Sequence, residues 1–105
     1  MGLFGKVSGK QVDAYAKELV AKLVAKYPPD FDKDPSHKIS GKRLTKHIED
    51  ICQQAGEYKQ ENKLGMFLTA RFGNTFRWEL KDQGYSDDLV DVVAEGVIVY
   101  MTKKK

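Results

Sequence analysis

The segment PPDFDKDPSHK places Asp30, Asp32 and Asp34 at alternate positions, the rhythm of carboxylates that opens an EF-hand calcium loop. That loop also needs glycine at its sixth position for a sharp turn and a bidentate glutamate at its twelfth. Counted from Asp30, those positions hold Pro35 and Gly41, and the eighth, normally apolar, holds His37. The calcium reading fails at three places. A solvated turn whose aspartates bond nearby backbone is expected instead, and no metal site is predicted.

A second cluster follows. Lys38, Lys42, Arg43 and Lys46 occur in KISGKRLTKH without an acid among them. If a helix starts at Ser40, these cations oppose its dipole, which invites an explanation. The free N–H groups of a helix start, helped by Ser40, Gly41, Lys42, Arg43 and Lys46, make a candidate anion site for a phosphate-bearing ligand or nucleic acid. It is not a P-loop, because the Gly-x4-Gly-Lys-Ser/Thr pattern is absent. The same SGK tripeptide also opens the first helix, where capping alone explains it, and Asp34, Glu49 and Asp50 can offset the charge.

Nucleophilic chemistry finds little support. Cys52 falls on an apolar stripe, and His47, five residues earlier, projects away from it on a helix. A buried structural thiol is expected. Two histidines and one cysteine show no zinc spacing. A helix-turn-helix drawn with its turn at Gly56 would put Glu57 and Glu61 against phosphate and Asn62 where an apolar residue belongs, so it is rejected. Glu79 is the one unusual acid, falling between Leu68 and Phe72 on an inward-facing side. Structural pairing is the expected role for it. No acid, base and nucleophile converge, so no enzyme activity and no cofactor are predicted.

The chain has 18 basic and 15 acidic residues; without Lys103, Lys104 and Lys105 the two counts match at 15. A neutral body lacks the sustained basic field of a strong nucleic-acid binder. One cysteine cannot form an internal disulfide, which fits a reducing compartment. No apolar run is long enough to span a bilayer. Apart from Met1, only two bulky apolar residues, Leu3 and Phe4, precede Lys6, too few for a signal-peptide core, and Lys6 stands where a myristoylation signal needs Ser or Thr. A cytoplasmic location is expected.

Three segments share the grammar of a helix start. Ser8 lies between Val7 and Val12, Ser40 between Ile39 and Leu44, and Ser86 between Tyr85 and Val90. In each, serine can cap an orphan N–H while the apolar residue before it packs on the fourth helical position. The first helix is predicted from about Gly9 to Tyr27, carrying Val12, Tyr15, Ala16, Leu19, Val20, Leu23, Val24 and Tyr27 at helical period. Pro28-Pro29 should end it, with a polar loop after. The second uses Leu44, Ile48, Ile51, Cys52, Ala55 and Tyr58; Gly56 either ends it or only weakens it, and helix continues or resumes to about Asn62. The last, from Asp87 to about Thr102, is apolar on most of its circumference, with a polar strip of Asp88, Asp91, Glu95 and Thr102. Such a helix is central or is covered by a partner subunit. Its run GVIVYM is also β-prone, so a terminal strand at 96–101 competes.

The segment RFGNTFRWEL poses a choice. Gly73-Asn74 suggests a two-residue hairpin turn, but that register leaves neither sheet face cleanly apolar. As a helix, Leu64, Leu68, Phe72, Phe76 and Leu80 form one ridge. Glycine in a helix costs about 1 kcal/mol, whereas each buried apolar side chain returns about 1.5–3 kcal/mol. Helix is the prediction, with a neighbouring helix brought close at Gly73. Phe67, Arg71, Asn74, Thr75, Trp78 and Asp82 then form a second stripe. On it, Phe67, Arg71, Asn74 and Trp78 are the candidate partner-binding face, since Trp and Arg are enriched at interfaces; the competing reading has Trp78 extend the core edge with Arg71 lying over it. Arg77 points away and should be solvated.

The expected architecture is all-α: one domain over 1–105, with 1–7 and 103–105 as flexible ends. It is a four-helix bundle, mostly antiparallel, with candidate breaks near Gly56 or Gly65. The expected function is a small interaction module without catalysis that self-associates or binds a protein partner.

Overall fold

The computed structural model describes residues 7–33 and 41–103. The described residues form five helices: α1 (Gly9–Lys26), α2 (Pro29–Lys33), α3 (Gly41–Asn62), α4 (Met66–Gln83) and α5 (Asp87–Thr102). The fold is the all-α bundle that the periodicity predicts, with helix continuing through the β-prone 96–101 run. Of the expected flexible ends, only Val7 and Lys103 are described.

The four long helices form a closed ring of neighbours. α1 packs on α4, α4 on α5, α5 on α3, and α3 on α1. Residue pairs give the directions. Tyr15 stacks on Tyr58 at 4.1 Å, and Lys22 donates to Gln54 at 2.7 Å, so α1 and α3 run antiparallel. Arg77 pairs with Asp91 and Gly73 abuts Ile98, so α4 and α5 do too. By contrast, Asp13 meets Arg71 while Tyr27 meets Tyr85, which makes α1 and α4 parallel neighbours. Cys52 against Gly96 and Gly56 against Tyr100 make α3 and α5 parallel as well. Consecutive long helices alternate in direction, but α3 and α4 sit across the ring from one another.

Local chemistry accounts for the boundaries. At α1, the Gln11 amide donates to Ser8 Oγ at 3.2 Å, and the Ser8 amide donates to Gln11 Oε1 at 2.8 Å, a reciprocal capping box. At α5, the Leu89 amide donates to Ser86 Oγ. Ser40, the third predicted cap, lies outside the described residues. α1 ends before Pro28 as expected, but Pro29 then opens α2, where a proline at the first helical position forfeits only an orphan N–H. The expected polar loop therefore begins with a helical turn. Asp32 in that turn accepts from the Ser86 amide at 2.7 Å, tying α2 to the start of α5. Tyr85 reinforces the same corner: its hydroxyl donates to the Tyr27 carbonyl at 2.5 Å, and burial pushes its acidity well below the ordinary phenol's.

α3 runs unbroken through Gly56. The chain turns instead at Lys63, in the left-handed region at φ 51°. The Leu64 amide bonds the Lys59 carbonyl at 3.0 Å and the Lys63 amide bonds that of Gln60 at 3.3 Å. This is a Schellman closure, which usually carries glycine. Gly84 closes α4 in the same way at φ 102°.

The core is assembled from the predicted stripes. Val12, Ala16, Leu19, Val20 and Leu23 meet Ile51, Cys52 and Ala55, the ridge Leu64, Phe72, Phe76 and Leu80, and Val90, Val93, Val97 and Met101 of α5. Leu68 is half-buried at the ridge's edge. Two glycines permit close approach, not on the same terms. A Cβ on Gly56 would stand 3.1 Å from the Tyr100 carbonyl oxygen, so there the backbones of α3 and α5 nearly touch. At Gly73 the obstacle is the Ile98 side chain rather than the backbone expected there.

Candidate interaction surface

The α4 stripe forms as its spacing requires. Phe67, Arg71, Asn74 and Trp78 share one helix face, and all are exposed, Phe67 at 76% and Trp78 at 58%. They are not equivalent. Arg71 reaches across to α1 and grips Asp13 with both arms of its fork, Nε to Oδ1 at 3.1 Å and Nη2 to Oδ2 at 2.9 Å. Thr75 donates to the same carboxylate at 2.8 Å. These two donors, Arg71 first, hold the Asp13 carboxyl down at about 2. Gly9 completes the joint, since a side chain there would collide with the Arg71 guanidinium. Arg71 thus clamps the parallel α1–α4 pair. The stripe is split, with Phe67 at one end, Trp78 at the other, and between them Asn74 and an Arg71 whose guanidinium is tied to α1. Trp78 carries the Lys81 ammonium 5.5 Å from its ring.

Arg77, expected to be solvated, is instead half-buried and bonded to Asp91 of α5 at 2.5 Å. The reason is the antiparallel α4–α5 pairing, which brings an α5 acid alongside it. Between these helices runs a shallow groove of about 500 Å3, walled by Ala70, Gly73, Asn74 and Arg77 on one side and Ala94, Glu95, Ile98 and Val99 on the other. Met66 is 90% exposed, and Val92 and Val99 of α5 are 59% and 56% exposed. The sequence reading did not single out these three. A helical wheel carries the signal: Val92 and Val99 fall among Asp88, Glu95 and Thr102, inside the polar strip rather than opposite it.

A second groove of about 550 Å3 separates α3 from α5, with Glu57 and Glu61 on one wall. Across from them the Lys103 ammonium sits 4.8 Å over the Tyr100 ring.

Of the basic cluster, Lys42, Arg43 and Lys46 are exposed on the first turns of α3, which begins at Gly41. Lys38 and Ser40 lie outside the described residues. None of the three described cations lines the nearby α1–α3 groove, which is walled by Lys22, Lys26, His47 and Asp50, among others. Cys52 and His47 are not brought together: Cys52 faces Gly96 of α5, while His47 lines the α1–α3 groove. Burial pushes the Cys52 thiol up to about 11, which leaves it inert at neutral pH. Glu79 is half-buried and accepts a long bond, 3.5 Å, from Gln83 one turn on. Among the described residues no three His, Cys, Asp or Glu side chains are grouped to hold a metal ion. Asp34 of the alternating aspartates is not among them, and Asp32 is engaged with Ser86. No described helix is long and apolar enough to cross a membrane. In comparisons with protein-family models, with curated proteins and with solved structures, nothing matches this chain.

Proposed function

We propose that this chain is a non-catalytic interaction module of a reducing compartment, binding protein through the outer faces of α4 and α5. One observation carries the reading: five large apolar side chains, Met66, Phe67, Trp78, Val92 and Val99, stand 56–90% exposed on those two helices. Single exposed apolar residues are ordinary, but five on two adjacent helices, with Val99 among them lining the groove between those helices, fit a contact surface. Aromatic and aliphatic anchors there, with Arg77 and Glu95 near the groove, have the composition of a partner-facing patch.

The test is site-specific photo-crosslinking in cells, with a benzophenone amino acid placed at Phe67, at Val99, or at Lys17 on the exposed side of α1. Covalent protein adducts at Phe67 and Val99, but not at Lys17, are expected. Adducts at none of the positions, or equally at Lys17, overturn the reading.

A further inference from the structure

We infer that the partner on the α5 side of this surface is a second copy of the chain, docked antiparallel through α5 about a two-fold axis passing between Glu95 and Gly96. The inference rests on the interaction reading above and adds to it the occupant and the register.

The register comes from the residues on the outer face. Asp88, Val92, Glu95, Val99 and Lys103 fall on one side of α5, and all five are exposed. Reversed on itself about the Glu95–Gly96 midpoint, this stripe places Val92 opposite the partner's Val99 and Asp88 opposite the partner's Lys103. Apolar therefore meets apolar, and acid meets base, twice each by symmetry. A parallel arrangement would set Asp88 against its own copy and Lys103 against its own.

The charges on the helix support that choice. Of the four acids on α5, two are engaged within the protomer: Asp87 with Lys81 at 3.9 Å and Asp91 with Arg77. The other two, Asp88 and Glu95, have no ion-pair partner among the described residues, and both lie on the outer face. Lys103 rests on its own Tyr100 ring, a contact it can exchange for a carboxylate because its stem is flexible. Shape agrees as well. The exposed ridge of α5 runs beside the α4–α5 groove, so a two-fold can lay each copy's ridge into the other's groove, as a self-complementary interface requires. There the partner's Val92 would reach Val99 and Ala70. Glu95 is the unfavourable element, because the axis brings it beside its own copy. Arg77, on the same groove, is the cation within its reach.

Sedimentation equilibrium at low ionic strength tests the register through charge reversal. Wild type should dimerise reversibly. Asp88→Lys and Lys103→Glu should each weaken dimerisation by about tenfold, because each turns two attractive exposed pairs into repulsive ones. An equimolar mixture of the two variants should recover wild-type association, since each then supplies the charge the other lacks. Far-UV circular dichroism of both variants establishes that the helices persist, and the mixing step compares unchanged chains. Wild type that stays monomeric to about 1 mM chain, single reversals without effect, or a mixture that fails to recover would each overturn the inference. The broader reading fails separately: crosslinks from Val99 to a protein of another mass, with purified chain monomeric, sink only self-pairing, whereas no adduct of any mass sinks both.

Discussion

Gly56 and Gly73 sit in helix interiors and look alike in sequence, yet the structure predicts opposite consequences for replacing them with alanine. Each substitution gains about 1 kcal/mol of helix propensity. At Gly56 the new Cβ would stand 3.1 Å from the Tyr100 carbonyl oxygen, and that obstacle is backbone. One turn earlier, Cys52 Sγ already lies 3.0 Å from where a Cβ on Gly96 would be, so α3 cannot tilt toward α5 there to make room. The helices must part, and overpacking of this kind costs about 1–3 kcal/mol. The net effect of Gly56→Ala is a loss of up to about 2 kcal/mol after the propensity gain is subtracted. At Gly73 the obstacle is the end of the Ile98 side chain, which borders the open α4–α5 groove and can turn outward. An off-rotamer penalty of about 0.5–1.5 kcal/mol nearly cancels the gain. Gly73→Ala should therefore be close to neutral, and Gly56→Ala about 1 kcal/mol worse, which for a domain of this size separates their melting midpoints by about 4–8 °C. Urea titration followed by circular dichroism at a fixed temperature measures both. Gly56→Ala as stable as Gly73→Ala or more so would show that α3 and α5 do not approach through their backbones, and the parallel α3–α5 pairing would lose its main support.

Three other outcomes follow from single features. Lys63→Gly should stabilise the protein by about 1 kcal/mol, because Lys63 closes α3 at φ 51°; an unchanged urea midpoint would refute the left-handed closure. Thr69 buries its hydroxyl without a partner among the described residues, so Thr69→Val should be neutral or stabilising; a loss would mean the hydroxyl is bonded after all. Asp13, held at about 2 against an ordinary 3.8, contributes stability that is present above 3.8 and lost as pH falls through about 2. Asp13→Asn should accordingly melt below wild type at neutral pH and converge with it across that acid window; a difference independent of pH would place the origin elsewhere.

Much of the fold was legible because its causes are local. Ser8 and Ser86 cap the helices they were expected to start, and the period-four ridge buries Phe72, Phe76 and Leu80 completely. What was missed has two sources. The first is turn chemistry carried by an unexpected residue. Of the two glycines that read as breaks, Gly65 does mark one, as the N-cap of α4, and Gly56 does not; the left-handed position itself fell to Lys63, and a lysine gives no such signal. Pro29 read as a stop, although the same restricted φ suits the start of α2. The second source is pairing across long sequence separations. Asp13 and Arg71 are 58 residues apart, and nothing near either one announces the other. Arg77 was assigned to solvent for the same reason, its acid being on the next helix.

That second source is what changes the functional reading. A stripe of Trp, Phe and Arg on one helix looks the same whether it serves a neighbour inside the fold or a partner outside it. The distinction lies in what the adjacent helix presents. α1 presents Asp13 and a bare Gly9, so the Arg71 guanidinium in the middle of the α4 stripe is held as an internal clamp. α5 presents nothing of the kind to its own outer face: its main packed neighbours are α3 and α4, and the exposed sector between them keeps Val92 and Val99 with Asp88 and Glu95, two acids that have no ion-pair partner among the described residues. Hydrophobic content alone would have put those valines inside. Ring closure of four helices leaves them outside, because a helix flanked by two neighbours buries only part of its circumference. The proposed contact surface is therefore weighted not to the centre of α4, where composition placed it, but to the α4–α5 edge, where an apolar pair and two acids without an ion-pair partner among the described residues occur on the same face.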